Sequence, residues 1–199
     1  MTTIEYFYNP YCSMCFLLSP HIRRSLQEHN VKIIQRTLIK DRDFKTWTKK
    51  ERAYSLSDED LDYSKGYMAA LYAKAIERIQ GQEAHWDFYD AVQNAFICES
   101  KNISDARLLN QIAWSLGVDH LELIAALYLS ELRESIRSDV KRADDFRISS
   151  TPAVIVDGRY VIDSFSTSQH LKTLFHYVKN RNSNTANISG SSWQFRVTT

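Results

Sequence analysis

The chain has 199 residues, 44% of them apolar and 25% charged, which is the make-up of a folded globular protein and excludes a disordered one. That length suits one large domain, or one domain carrying an insertion, with a core that hides about 70% of the unfolded surface. Twenty-five Lys and Arg stand against 24 Asp and Glu, a formal charge of +1, so the whole chain carries no electrostatic footprint for nucleic acid or an anionic membrane.

The N-terminus, Met1-Thr2-Thr3-Ile4-Glu5, has neither the basic start nor the apolar stretch of a secretory signal, and no apolar run approaches the roughly 20 residues of a membrane span. A cytoplasmic protein without membrane contact is therefore expected. Thr3 to Tyr8 alternates and ends in aromatics, which predicts a short buried strand stopped by Asn9-Pro10. From Ser13 the spacing turns helical, with Phe16, Leu17, Ile22 and Leu26 on one side and Pro20 expected to kink the helix. Residues 31 to 39 are β-rich and predict a second strand, parallel to the first across a right-handed crossover.

Residues 41 to 60 hold eleven charged side chains and read as a solvated connection. A helical tract follows. Tyr63, Tyr67, Leu71, Ala75 and Ile79 recur every four residues and stop at Gly81, and Trp86, Tyr89, Val92 and Phe96 form a second stripe. Ser104 is placed to cap a helix that ends at Gly117, and Asp119 with Glu122 starts another running toward Arg147. Trp86, Phe88, Tyr89 and Trp114 read most simply as core of this helical insertion, and Cys98 as a small buried hydrophobe. His21 reads as a surface residue. The β signal returns at residues 153 to 156 and 159 to 162, on either side of a two-residue Asp157-Gly158 hairpin turn. A last amphipathic helix is predicted over 167 to 180. The Asn- and Ser-rich tail beyond it is expected to be disordered, although Ser192 to Val197 alternates as a strand does and could pair with a sheet edge.

Three cysteines occur, two of them as Cys12-Ser13-Met14-Cys15. Cys12 follows a strand and a turn and stands at a helix start, where unpaired N–H groups and the helix dipole favour an anion such as a thiolate. Cys15, one turn further in, is near enough to form a disulfide yet more shielded. That asymmetry suits dithiol exchange, in which an exposed sulfur of low pKa attacks and a buried neighbour resolves. A zinc site would need about four ligands, and neither Cys98 nor His21 or His29 supplies a second paired spacing. A purely structural CxxC is the other reading.

The strand ending in aromatics, Tyr11-Cys12-Ser13-Met14-Cys15, the helical insertion and Ser149-Ser150-Thr151-Pro152 before a β-hairpin together resemble the DsbA-like branch of the thioredoxin superfamily. The resemblance extends over about residues 3 to 180 and is greatest to FrnE-type dithiol-disulfide isomerases. A looser likeness to the SpxH or YjbH adaptors rests on Tyr67-Met68-Ala69-Ala70-Leu71 and Lys101-Asn102-Ile103, without the long C-terminal extension of those adaptors. By this resemblance Cys12 is the nucleophile, Cys15 the resolving thiol and Pro152 a cis-proline facing them. It also places Thr151 beside Cys12 as a strand-addition site for substrate, with Tyr11, Ser13 and Met14 lining it. Glu5 is implied to accept the resolving thiol's proton; a salt-bridge partner at the core edge is the alternative reading of the same residue.

Two departures stand out: Ser13 replaces the proline that many members carry after the first cysteine, and Met14 brings no charge to the thiolate. A less acidic Cys12 than in strongly oxidising members is expected, above roughly pH 5. The implied fold is α/β, a thioredoxin fold (βαβ…ββα) with an inserted all-helical subdomain. Its expected limits are 1–53 and 147–180 for the thioredoxin-like domain, 54–146 for the helices and 181–199 for the tail. The implied activity is thiol-disulfide reductase or isomerase chemistry on protein or small-molecule thiols and disulfides, without metal or cofactor. The alternative is an adaptor that delivers a client to an ATP-dependent protease of the ClpXP type, its CxxC structural or redox-sensing. A glutathione-dependent isomerase of small aromatic compounds is disfavoured, because such relatives carry Ser where Cys12 stands.

Overall fold

A computed structural model describes residues 2–28, 31–39, 66–162 and 196–197. The predicted connection over 41 to 60, Tyr63, the predicted helix over 167 to 180 and most of the tail lie outside the described residues. The chain divides into two compact units. One comprises Met1–Tyr8, Cys12–Arg36 and Arg142–Thr199, the other Asn9–Tyr11 and Thr37–Lys141.

The first unit is built on a sheet. Strand β1 (Thr3–Tyr8) is followed by helix α1 (Ser13–Glu28) and strand β2 (Lys32–Thr37), whose last residue falls in the other unit. Strands β3 (Ala153–Val156), β4 (Tyr160–Ile162) and β5 (Arg196–Val197) complete the order β2-β1-β3-β4-β5. β1 runs antiparallel to β3, with Glu5 opposite Ile155 and Phe7 opposite Ala153. Both are central strands, and every residue of Ile4–Tyr8 and Ala153–Val156 is buried, which explains their near-continuous apolar runs. Helix α1 continues through the exposed Pro20 and contributes Cys15, Leu18 and Ile22 to the core.

Two details differ from the sequence reading. The β3–β4 turn holds three residues, Asp157 to Arg159, because Val156 pairs with Tyr160. Asp157 and Gly158 both take positive φ, of 50° and 66°, and the Asp157 carboxylate reaches back to accept from the Thr3 N–H at 2.8 Å. Second, Arg196 and Val197 of the tail are in the sheet, Val197 opposite Tyr160 and Arg196 opposite Val161. Their backbone groups find partners on β4, the edge pairing that the alternation of Ser192 to Val197 allowed.

The second unit is helical: α2 (Tyr67–Gln80), α3 (Gln82–Ile97), α4 (Ala106–Ser115), α5 (His120–Leu127) and α6 (Ser130–Asp145), the last reaching past Lys141. Leu71, Ile76, Phe88, Val92, Ile103, Leu109, Leu123 and Ile136 belong to its core. Gly81 separates α2 from α3 at φ 89° and ψ −176°, a conformation open almost only to glycine. The cap of α4 is Asp105 rather than Ser104; its carboxylate accepts from the Arg107 N–H, and the adjacent guanidinium holds it below the ordinary carboxylate range. Asp119 caps α5 as predicted, accepting from the N–H groups of Leu121 and Glu122.

The single predicted helix from Asp119 toward Arg147 is two helices, broken at Tyr128 and Leu129, where no Gly or Pro signals the break. Cys98 closes α3 and is exposed, not buried, and Trp114 is half exposed, packed edge-on to His120 instead of in the core.

Candidate active site

The site grows from the residue that links strand to helix. The Cys12 carbonyl accepts from the Phe16 N–H at 3.1 Å, and the Cys12 sulfur accepts from the Cys15 N–H at 3.2 Å. Those two bonds make Cys12 the N-cap of α1, its sulfur taking the place that a Ser or Asp oxygen fills in ordinary caps. With Ser13 as the first helical residue, the Cys-x-x-Cys spacing puts Cys15 third, where its N–H needs an acceptor outside the helix. The spacing therefore delivers two things at once: a backbone donor aimed at Cys12, and a second sulfur one turn away.

Cys15 is fully buried and Cys12 half-buried. The Cys12 thiol is lowered from 9.0 to about 6. A hydrogen bond from the Cys15 side chain is the largest cause, against the opposing effect of burial. Thr151 and the backbone N–H groups of Cys15 and Met14 add to it. This value is far below that of a free thiol. In its protonated form the Cys12 thiol donates to the Thr151 carbonyl at 3.3 Å, across 139 residues of sequence. The Thr151–Pro152 peptide is cis, Pro152 is buried, and Thr151 is half-buried beside the sulfur.

Ser13 is exposed and Met14 half-buried on the first turn of α1. Glu5 is buried on β1 with its carboxylate occupied by guanidinium donors. Arg142 approaches within 2.6 Å and Arg36 within 2.9 Å. Arg142 also stacks over the Phe146 ring at 4.2 Å. The ion-pair reading of Glu5 describes this geometry, since both of its oxygens already accept from arginine. Tyr11 packs edge-on to Phe96, with its hydroxyl 3.2 Å from Ser104 Oγ. Burial raises the Tyr11 pKa, which keeps that phenol neutral.

Asn9 went unnoticed in the sequence beyond its role as a strand stop. Its buried amide donates to the Leu38 carbonyl at 2.9 Å and accepts from the Tyr11 N–H at 2.8 Å. Among the described residues no group of three or more His, Cys, Asp or Glu side chains could hold a metal ion. No helix among them is long and apolar enough to cross a membrane.

A thiol of lowered pKa capping a helix, its partner thiol at the third helical position and an X-Pro carbonyl against the sulfur accompany a sequence match. Residues 6–173 fit a family described as thioredoxin. The chain belongs to the thioredoxin family. Its fold is shared by a candidate protein disulfide isomerase from Nitrosomonas europaea at a TM-score of 0.71 and 17% identity, covering 90% of this chain and 98% of that one. It is also shared by the cytosolic disulfide reductase DsbM from Pseudomonas aeruginosa, solved with GSH, at a TM-score of 0.67 and 15% identity, covering 91% and 99%. Among curated proteins the chain is 25% identical over 171 residues to the ClpXP adapter protein SpxH of Bacillus subtilis (strain 168). That match takes in 76% of this chain and 56% of SpxH, so the chain spans little more than half the length of that relative. The thioredoxin-like sheet interrupted by helices agrees with the fold class expected from sequence.

Proposed function

We propose that this protein is a thiol-disulfide oxidoreductase working as a reductase or isomerase in the cytoplasm, with Cys12 as nucleophile and Cys15 as resolving thiol. The observation that carries this is the Cys12 sulfur accepting the Cys15 N–H at 3.2 Å, with its pKa lowered to about 6. At neutral pH most of such a sulfur is thiolate and ready to attack. The Cys12 thiolate attacks one sulfur of a substrate disulfide and expels the other as a thiolate, forming a mixed disulfide. Cys15, deprotonated, then attacks the Cys12 sulfur and expels the second substrate thiolate. A Cys12–Cys15 disulfide remains, and two electrons have passed to the substrate. Two molecules of a small thiol such as glutathione return the pair to its reduced state, the first forming a mixed disulfide that the second cleaves, and they leave joined as their own disulfide.

Thr151 and Pro152 stand where an extended substrate segment meets the sulfur, with Ser13 and Met14 on its helix side. Protein or small-molecule thiols and disulfides are the substrates of this reading, and it needs no metal or cofactor. The naming of DsbM as a cytosolic disulfide reductase supports the direction and the compartment. Glu5 serves the sheet as an ion-pair centre in this reading.

The test replaces Cys15 with Ala and incubates the protein with lysate. Partners trapped on Cys12 and released by dithiothreitol are expected, together with dithiothreitol-driven insulin reduction by the parent. A single partner recovered equally well when both cysteines are Ser would sink the proposal. That outcome would favour the second reading, suggested by the likeness to SpxH: an adaptor that presents a client to a ClpXP-type protease, with CxxC structural or redox-sensing.

A further inference from the structure

Asn9, Pro10 and Tyr11 are counted with the helical unit, and Cys12 follows them directly in the chain. This three-residue segment is secured at every turn. The Asn9 side chain bonds the Leu38 carbonyl at 2.9 Å and the Tyr11 N–H at 2.8 Å, the second closing an Asx turn. On α3 the Tyr89 hydroxyl donates to the Asn9 carbonyl at 3.3 Å. The Gln93 amide spans the Asn9 and Pro10 carbonyls at 3.4 Å each. Tyr11 is held by Phe96 and Ser104. Asn9, Tyr89 and Gln93 are at most 6% exposed, so these bonds are shielded from water. The bonds of Asn9 itself are the short ones; those of Tyr89 and Gln93 are long and individually weak, but converge on the same carbonyls.

We infer that Asn9 is a positioning residue for the thiol chemistry of Cys12, with Tyr89 and Gln93 as its supports. The inference rests on Cys12 being the nucleophile proposed above. The reasoning is geometric. Cys12 is an N-cap, and an N-cap sulfur meets the N–H of the third helical residue only while its own backbone stays in the extended capping conformation. That conformation is set by the turn immediately before it, which Asn9 closes. With the Asx turn lost, α1 starts with a loose cap and the Cys12 sulfur samples positions away from the Cys15 N–H. The Cys15 thiol and the N–H groups of Cys15 and Met14, all on α1, donate to that sulfur and lower its pKa. Losing them withdraws much of what stabilises the thiolate.

The test uses the full chain carrying Cys98→Ser, so that the exposed cysteine does not react. Thiolate absorbance and the pH profile of Cys12 alkylation by iodoacetamide are measured on reduced protein. Asn9→Ala is expected to raise the Cys12 pKa by on the order of one unit, a tenfold loss in ionisation constant. Asn9→Ser, which can still close a turn to the Tyr11 N–H, is expected to recover part of it. Tyr89→Phe with Gln93→Met removes the supporting donors with little change of shape and is expected to move the pKa in the same direction. It decides the matter should Asn9→Ala fail to fold. Leu109→Ala, in the helical core, is expected to lower stability and leave the Cys12 profile where it was.

An unchanged Cys12 profile in a folded Asn9→Ala protein, or in the double variant, would overturn the inference. So would an equal shift in Leu109→Ala, which would make the effect one of stability alone. Alkylation involves no substrate disulfide, so a protein that fails to reduce insulin can still pass or fail this test, and the two results are read separately.

Discussion

The Lys74 ammonium and the Asp139 carboxylate meet at 3.0 Å with side-chain exposures of only 8% and 1%. The same carboxylate oxygen accepts from the Thr37 N–H at 3.0 Å, at the end of β2. Glu77 joins from the other side, 3.7 Å from Lys74 and 2.9 Å from His85 Nδ1. A chain of ionic and polar groups thus crosses the helical unit, each member occupied by another. Burying such a chain stabilises less than its bonds suggest, but removing one member strands a charge.

Asp139→Asn is therefore expected to destabilise the protein by about 3 kcal/mol, the usual loss when a buried charge keeps its site and loses its counter-ion. Chemical denaturation at neutral pH measures it. A loss under about 1 kcal/mol would show that Glu77 alone neutralises Lys74.

Acid should weaken the same unit. Burial pushes the His85 pKa down, partly opposed by Glu77, so between its folded value and the ordinary 6.5 the unfolded chain binds more protons than the folded one. Glu77 is half-buried, and its partial desolvation alone would raise its pKa. Its bonds and charges from His85 and Lys74 more than reverse that and leave it below 4.5. Both groups give the same sign: stability falls as pH drops below about 6.5, and further below about 4.5. His85→Gln should flatten the upper part of this fall in denaturation curves at pH 7, 6 and 5.

Cys12 has its own signature at higher pH. Its folded pKa of about 6 lies below the 9.0 of a free thiol. The stability this adds to the reduced protein is complete above pH 9, shrinks as pH falls, and is gone below about 6. Cys12→Ser should lose that slope between pH 6 and 9 and should abolish disulfide exchange. Denaturation of reduced parent and variant at pH 6 and 8.5 measures the difference; parallel curves would disprove an ionised Cys12.

Gly81→Ala isolates a backbone effect. A Cβ there would touch nothing within 4 Å, so the cost is that of holding alanine at φ 89° and ψ −176°. About 1 to 3 kcal/mol is expected, read from denaturation, with no change in the Cys12 alkylation profile.

What sequence reveals here is what short-range chemistry decides. Cys12 and Cys15 were legible because their spacing of three is also the spacing of an N-cap and the residue that donates to it. Asp119 and Gly81 were legible for the same reason: a cap or a left-handed turn is specified within a few residues. Sequence misjudged places where a neighbour distant in the chain, or a one-residue choice between equals, settles the matter. Ser104 and Asp105 are both good caps, and the structure uses the second. The break at Tyr128 and Leu129 carries no Gly or Pro, and Trp114 and Cys98 have core chemistry on exposed positions.

By itself, then, the order of residues determined the dithiol, the strand and helix that carry it, and the helical tract between two β regions, because each follows from contacts a turn or a strand long. Only the tertiary structure brought the Thr151 carbonyl to within 3.3 Å of the Cys12 sulfur, set Arg36 and Arg142 on Glu5, and joined Asp139 to Lys74 and Thr37. Those pairs lie 31 to 139 residues apart or depend on such folding, and no local pattern can register partners that meet only when the chain has closed on itself.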